Sequence, residues 1–163
     1  MTTETTLQDL EDLTQICHDG ELGYLTAAQH VSNSQLKTIF AGYAKQRTGF
    51  VRELQAEVER LGGTPLDSSS LIATLHRGWI DLKSALSGGS GEAIVAACET
   101  GEDHAAAAYE RVVDLELSGE TNALVEKQWG AIKEAHAHML RLKAQGETAA
   151  FPRDAKDTKE PEA

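Results

Sequence analysis

The amino-acid sequence predicts an all-helical protein built from two repeated helical hairpins that a long helical crossover joins. The first observation is the composition, in which helix-forming residues dominate and only 5% of residues are aromatic. The second is the spacing of apolar residues at intervals of three and four, which is typical of amphipathic helices. The third is an internal repeat with a constant offset.

The repeat relates the first half of the chain to the second. Residues 17–21, Cys-His-Asp-Gly-Glu, return as residues 98–102, Cys-Glu-Thr-Gly-Glu, so that cysteine, glycine and glutamate each recur 81 positions later. The same offset aligns residues 51–54 with 132–135 without a gap. Two such hairpins would pack about a pseudo-twofold axis, and we expect Glu21 and Glu102 to meet near it.

The first hairpin is predicted over residues 6–31 and 35–61. An apolar stripe marks its first helix, and the Ser-Asn-Ser sequence that follows supplies a turn and a cap. Apolar residues of its second helix follow a heptad in which Arg47 takes an inward position. Gly62 and Gly63 end this helix.

A crossover helix is predicted over residues 69–86, because the serine run at 68–70 can cap it and a glycine-rich segment ends it. A hairpin helix of about 26 residues is about 39 Å long, a length that the crossover and its flanks can span. Two hairpins joined by one long crossover have the connectivity of ferritin-like four-helix bundles.

The second hairpin is predicted over residues 92–117 and from about 121 to 144. Residues 1–145 should therefore form one ferritin-like four-helix-bundle domain, since a chain of 163 residues suits a single core. Residues 146–163 contain two prolines and little apolar content, and are predicted to be a disordered tail.

Charge and cysteine content limit the partners, the cellular location and the cysteine chemistry expected of this protein. The net charge of −11 and pI near 4.9 argue against nucleic acid and anionic membranes as partners. No apolar run is long enough to span a membrane, and the amino terminus lacks a signal-peptide profile, so we expect a cytoplasmic protein. Cys17 and Cys98 are expected to be buried thiols, with a disulfide between them as the alternative.

Five segments together resemble a known family. They are Asp-Gly-Glu-Leu-Gly-Tyr at 19–24, Arg47 with Phe50 and Leu54, His-Arg-Gly-Trp-Ile-Asp-Leu-Lys at 76–83, Cys-Glu-Thr-Gly-Glu-Asp at 98–103, and His136. Over about residues 7–142 the chain resembles a bacterial ferritin-like family of unknown function, related to ferritin-like stress proteins. The resemblance implies a fold without an agreed activity. Its wider relatives include di-iron and di-manganese oxidases and storage proteins.

Those relatives hold metal with a glutamate from each of two helices and a Glu-x-x-His motif from each of the other two. The candidate ligands here are Glu21, Glu99, Glu102 and His136. The Glu-x-x-His motif is absent, because alanine stands three residues after both Glu53 and Glu134. A carboxylate-bridged di-iron or di-manganese protein, an oxidase or an iron-handling protein, is therefore the alternative hypothesis.

The first hypothesis is a bundle with a polar core that is not catalytic. Arg47 and its repeat mate Gln128 are the polar residues on the inward stripes of their helices. A buried guanidinium needs carboxylates around it and would repel a divalent cation, so Arg47 indicates a replacement for metal. We expect it to lie in a cluster with Glu21, Glu99 or Glu102, Gln128 and His136.

A third hypothesis is a module that binds a partner or forms a homo-oligomer through the crossover. His76, Arg77 and Lys83 would form a small basic edge beside Trp79, able to receive an anion or an acidic segment. Ser-His-Asp sets, glycine-rich phosphate loops and Cys-x-x-Cys pairs are absent from the sequence. The sequence therefore contains no motif typical of a hydrolase, a nucleotide-binding protein or a zinc site.

Overall fold

The computed structural model describes residues 2–71, 77–88, 90–117 and 119–148, and the predicted all-helical fold class is confirmed for them. The helices are α1 (Thr3–His30), α2 (Ser34–Arg60), α3 (Ile80–Gly88), α4 (Gly91–Val113) and α5 (Gly119–Thr148). A 3-10 turn at Arg77–Trp79 leads directly into α3. No strand occurs in these ranges, and none of their helices is long and apolar enough to cross a membrane.

Local sequence signals place the helix ends. The Asn33 side chain accepts a hydrogen bond from the Leu36 backbone N–H at 3.0 Å, which caps α2. After Arg60, Gly62 adopts a φ of +87°, and the Gly63 N–H bonds back to the Val58 carbonyl at 2.9 Å. The left-handed conformation of Gly62 lets backbone N–H groups donate to the free carbonyls of the last turn. The glycine pair thus ends α2, as the sequence predicted.

The crossover differs from the helix predicted at 69–86. Ser69 and Ser70 lie in a turn, where both backbone N–H groups donate to the Asp67 carboxylate at 2.9 and 3.0 Å. Side-chain acceptors of this kind compete with helix formation at Ser69 and Ser70, and α3 begins at Ile80. Residues 72–76 of the predicted helix, including His76, lie outside the described residues.

The two long helices after the crossover also have boundaries that differ from the prediction. Helix α4 ends at Val113 rather than near residue 117, because Asp114 and Leu115 turn and Glu116 takes a φ of +51°. Helix α5 runs on to Thr148. Residues 146–148 of the predicted tail are therefore helical, and residues 149–163 lie outside the described part of the chain.

Each of the four long helices packs against two others. The closest pairs are α1 with α2 and α4 with α5, and two further seams join α1 to α4 and α2 to α5. Across the α1–α4 seam Cys17 meets Tyr109 while Tyr24 meets Glu102, so these helices run in opposite directions. Helices α2 and α4 consequently face each other along a diagonal rather than along a seam.

The core consists of two apolar clusters at opposite ends of the helices. One contains Leu13, Leu54 and Ile132, and the other contains Phe40, Ile94 and Met139. Arg47 lies in sequence between the two clusters on α2, and Glu102 does so on α4. A polar layer therefore separates the two halves of the core, and its members are described next.

Candidate functional site

An ion pair between α2 and α4 forms the centre of the polar layer. Arg47 Nη2 lies 2.6 Å from Glu102 Oε1, and both side chains are 0% exposed. The Tyr24 hydroxyl of α1 donates a hydrogen bond to the same carboxylate oxygen. The guanidinium carbon lies 5.7 Å from the centroid of the Tyr24 ring, within range of a cation–π interaction. Three helices thus contribute to one charge-neutral group.

The charges of this group are fixed by their mutual contact. Burial lowers the pKa of Arg47, whereas Glu102, Tyr24 and Cys17 raise it, and the resulting pKa lies above the ordinary value. Arg47 therefore stays protonated at every pH at which proteins fold. Burial, followed by the Glu102 charge, raises the pKa of Tyr24, so that its hydroxyl remains a neutral donor. Both donors reach the same oxygen of Glu102, Oε1, whereas Oε2 is buried without a hydrogen-bond partner among the described residues.

A chain of neutral hydrogen bonds extends the layer to α5. The Tyr109 hydroxyl donates to Gln128 Oε1 at 2.7 Å, and its oxygen lies 3.0 Å from Cys17 Sγ. A phenol has one proton, so the Cys17 thiol must be the donor to Tyr109. Burial raises the pKa of Cys17 to about 11, which keeps this thiol protonated. Gln128 Nε2 then donates to the Phe50 carbonyl at 3.4 Å, which returns the chain to α2.

The internal repeat does not make the polar layer symmetric. Glu21 occupies the position that matches Glu102, but 24% of its side chain is exposed and it lies 3.7 Å from His18 Nδ1. The expected meeting of Glu21 with Glu102 at a central axis therefore does not occur. One guanidinium neutralises one carboxylate, and a second buried carboxylate in the layer would have remained an uncompensated charge.

The remaining predicted ligands lie at the edge of the molecule. Glu99 Oε1 is 3.0 Å from His136 Nε2, with Asp103 Oδ1 at 4.0 Å, and the Glu99 and His136 side chains are both partly exposed. Glu21, Glu99 with His136, and Glu102 thus occupy three separate places. In the part of the chain that the structure describes, no three histidine, cysteine or carboxylate side chains converge in an arrangement that could hold a metal ion.

Trp79 closes the α1–α4 seam beside the polar layer. Its side chain is 2% exposed, and its ring lies between two helix backbones at Gly23 and Gly101. A Cβ atom added at Gly23 would approach the ring to 2.2 Å, and one added at Gly101 to 2.4 Å. The Trp79 and Tyr24 rings meet edge to face with centroids 5.0 Å apart. Only glycine at both positions leaves room for the indole.

Of the four crossover residues predicted as a binding edge, the structure describes the side chains of Trp79 and Lys83. Trp79 belongs to the core, so its indole offers no exposed anchor to a partner. Lys83 is exposed on α3, and the backbone of Arg77 forms the 3-10 turn. His76 lies outside the described residues, so the basic edge itself stays a prediction.

Residues 5–115 match the family described as a domain of unknown function, DUF2383. The chain belongs to this family. No curated protein matches the chain. The DUF2383 region contains α1, α2, the crossover and α4, and with them Arg47, Glu102 and the glycines of the indole slot. Helix α5, which carries Gln128 and His136, follows the matched region.

Three members of the polar layer in the DUF2383 region were not among the predicted site residues. Tyr24, Tyr109 and Cys17 connect the ion pair and Gln128 through their polar atoms. The available signal was helical spacing, since Cys17 and Tyr24 are seven positions apart and so lie on one face. A buried tyrosine needs a hydrogen-bond partner for its hydroxyl, and the inward polar residues Arg47 and Gln128 were candidates for that role.

A pair of glycine substitutions tests the indole slot. Gly101→Ala should lower the free energy of unfolding by about 1–3 kcal/mol, because the new methyl group overlaps the Trp79 ring. Gly42→Ala is the matched control, since it also lies within a helix but has nothing within 4 Å of the added Cβ. That control should raise stability by about 0.5–1 kcal/mol. Urea denaturation of both variants measures the difference, and effects of the same sign would contradict the slot.

Proposed function

We propose that this protein is a non-catalytic ferritin-like four-helix bundle whose central ion pair takes the place of a metal centre. The observation that carries the proposal is the contact of Arg47 with Glu102 at 2.6 Å, with both side chains fully buried. Glu102 is the carboxylate at the middle of the layer, and a guanidinium already neutralises it. The protein's role would then depend on its assembled helices and surface rather than on chemistry within the core.

Electrostatics support this proposal over a central metal site. A divalent cation bound to Glu102 would share the carboxylate with a protonated guanidinium in a low-dielectric interior, where like charges repel strongly. The Cys17 and Cys98 thiols are the other soft or ionisable candidates near the layer. Burial raises the pKa of both, so that each is held in its protonated, poorly ligating form.

The polar layer would instead fix how the two hairpins are aligned. Arg47–Glu102 joins α2 to α4 across the diagonal, and Tyr24–Glu102 and Cys17–Tyr109 join α1 to α4. Each of these contacts links the first hairpin to the second. Sliding one hairpin by a helical turn would break all three and leave buried polar groups without partners. Buried polar pairs are known to specify register in helical assemblies, sometimes at a cost in stability.

The alternative, a di-iron or di-manganese protein, is favoured by one observation. Glu99 and His136 lie in contact, as a carboxylate and a histidine ligand would. The wider donor set does not fit the group, because Glu102 is neutralised by Arg47 and Glu21 lies apart beside His18.

Metal content tests the proposal directly. We expect protein purified after growth in medium rich in iron and manganese to contain much less than one metal ion per chain by elemental analysis. About two ions per chain would instead identify the di-metal alternative. A Glu99→Ala/His136→Ala variant is the control for a bound ion. If the wild-type protein binds an ion and this variant does not, the ion lies at the edge pair and the central ion pair is intact.

A further inference from the structure

A surface groove continues the α1–α4 seam beyond the indole slot. It encloses about 440 Å³, a volume within the range of protein binding sites. Its apolar lining residues are Leu13, Ile16, Ala108, Val112 and Leu115. Leu115 is 43% exposed, which is high for a leucine in a folded domain. The other four are at most 6% exposed, so Leu115 is the apolar side chain through which the groove meets solvent.

The groove lies on the same helix faces as the slot that Trp79 fills. Ile16 stands seven residues before Gly23, and Ala108 stands seven residues after Gly101, which returns each helix to nearly the same face. At Gly23 and Gly101 the chain covers this seam with its own apolar side chain. The groove reaches the same seam at Ile16 and Ala108, which are 5% and 2% exposed.

The rim of the groove is acidic. Asp9, Asp12 and Asp114 line it together with one cation, Arg111. Asp12 accepts a hydrogen bond from Gln8 Nε2 at 3.1 Å, whereas the buried Asp9 Oδ2 has no hydrogen-bond partner among the described residues. Burial, and then the Asp12 charge, raise the pKa of Asp9, while Arg111 lowers it. The rim thus contains more negative charge than Arg111 can neutralise.

We propose that this groove docks a basic amphipathic segment of a partner protein. Apolar side chains of the segment would cover Leu115, the exposed apolar residue of the groove, and its lysine or arginine side chains would pair with Asp9, Asp12 and Asp114. A second copy of this chain is the poorer occupant, because a net charge of −11 on each copy opposes self-association. The interface that the groove could form is small, so we expect weak docking. Because charged pairs contribute to it, the affinity depends on salt.

A designed peptide tests this chemistry with the whole protein. The probe is a fluorescein-labelled peptide of about fourteen residues, with leucine on one helical face and lysine on the other. Its partner control carries glutamate in place of lysine. Fluorescence anisotropy should give a dissociation constant at least about tenfold lower for the lysine peptide, and the difference should shrink at high salt.

Variants of the rim should shift that affinity in opposite directions. Asp9→Asn/Asp12→Asn should weaken binding of the lysine peptide at least about fivefold, whereas Arg111→Gln, which removes the cation among the described lining residues, should tighten it. The charge-matched control is Asp103→Asn/Glu126→Gln, two exposed carboxylates away from the groove, and it should change affinity less than about twofold. Leu115→Ser should weaken binding by removing the exposed apolar side chain of the groove.

Four outcomes would overturn the proposal. They are equal effects of the rim and control variants, no preference for the lysine peptide, an oligomer that Leu115→Glu dissociates, and peptide binding that appears only after truncation behind Thr148. Equal effects of the rim and control variants would mean that binding reflects general charge attraction. No preference for the lysine peptide would mean that the groove does not dock a basic segment. The third would make a second copy the occupant, and the fourth would make it the chain's own carboxyl-terminal residues.

Discussion

Replacing Arg47 with methionine should lower the free energy of unfolding by about 3–5 kcal/mol at neutral pH. The substitution keeps most of the side-chain volume but removes the charge that faces Glu102 in a fully buried site. Among the described residues, Glu102 would then be a buried carboxylate with the Tyr24 hydroxyl as its remaining donor. Urea denaturation followed by circular dichroism measures the loss.

Two controls separate the buried charge from other effects of Arg47→Met. Arg52→Met changes an exposed arginine of the same helix and should alter stability by less than about 0.5 kcal/mol. The double variant Arg47→Met/Glu102→Leu removes both charges and should recover most of the loss, because replacing a buried ion pair with apolar residues is often neutral. A double variant as unstable as Arg47→Met alone would mean that packing, rather than charge, explains the effect.

Acidification should reduce the loss caused by Arg47→Met. Protonation converts the carboxylate that lost its guanidinium into a neutral group, which removes the penalty for burying its charge. The difference between the two proteins should therefore be smaller at mildly acidic pH than at neutral pH. A loss of equal size at both pH values would argue against a charged Glu102 in the core of the variant.

Replacing Trp79 with alanine should also lower the free energy of unfolding by about 3–5 kcal/mol. The indole is almost fully buried between Gly23 and Gly101, and neither glycine has a side chain that could fill the space it leaves. The substitution also removes the edge-to-face contact with Tyr24, whose hydroxyl supports Glu102. The same denaturation measurement reports the effect.

Ile80→Ala is the matched control, because Ile80 is the next residue in the chain and 68% exposed. It should change stability by less than about 0.5 kcal/mol. Added indole should raise the melting temperature of Trp79→Ala, since a ligand that fits the vacated cavity stabilises the folded state. No rescue, together with a loss no larger than that of Ile80→Ala, would place Trp79 outside the core.

Most helix positions were predictable because the signals that define them are local. The apolar stripe of α1 and the Asn33 cap at the start of α2 follow from neighbouring residues in the sequence. The predicted start of the crossover helix was wrong, because the Asp67 carboxylate accepts hydrogen bonds from the Ser69 and Ser70 N–H groups and holds them in a turn. The buried position of Arg47 was visible in the heptad, because an inward arginine stands out among apolar neighbours.

The choice of partners within the polar layer depended on the packed structure. The repeat made Glu21 and Glu102 equivalent in sequence, yet only Glu102 is buried against Arg47. Tyr24 and Tyr109 break the symmetry, because alanine stands at the matching positions 105 and 28. The Tyr24 hydroxyl reaches across the α1–α4 seam to Glu102, so the carboxylate that pairs with Arg47 is also the one that receives the phenol.

By itself, the sequence determined that this chain is helical, that it contains two related hairpins, and that an arginine lies on an inward face. Those properties depend on residues within a few turns of one another. Only the tertiary structure decided that Glu102 pairs with Arg47, that Glu99 meets His136 at the edge, and that Trp79 fills a glycine slot. Each of these contacts joins residues far apart in the chain, and its energy depends on burial that exists only once the helices pack together.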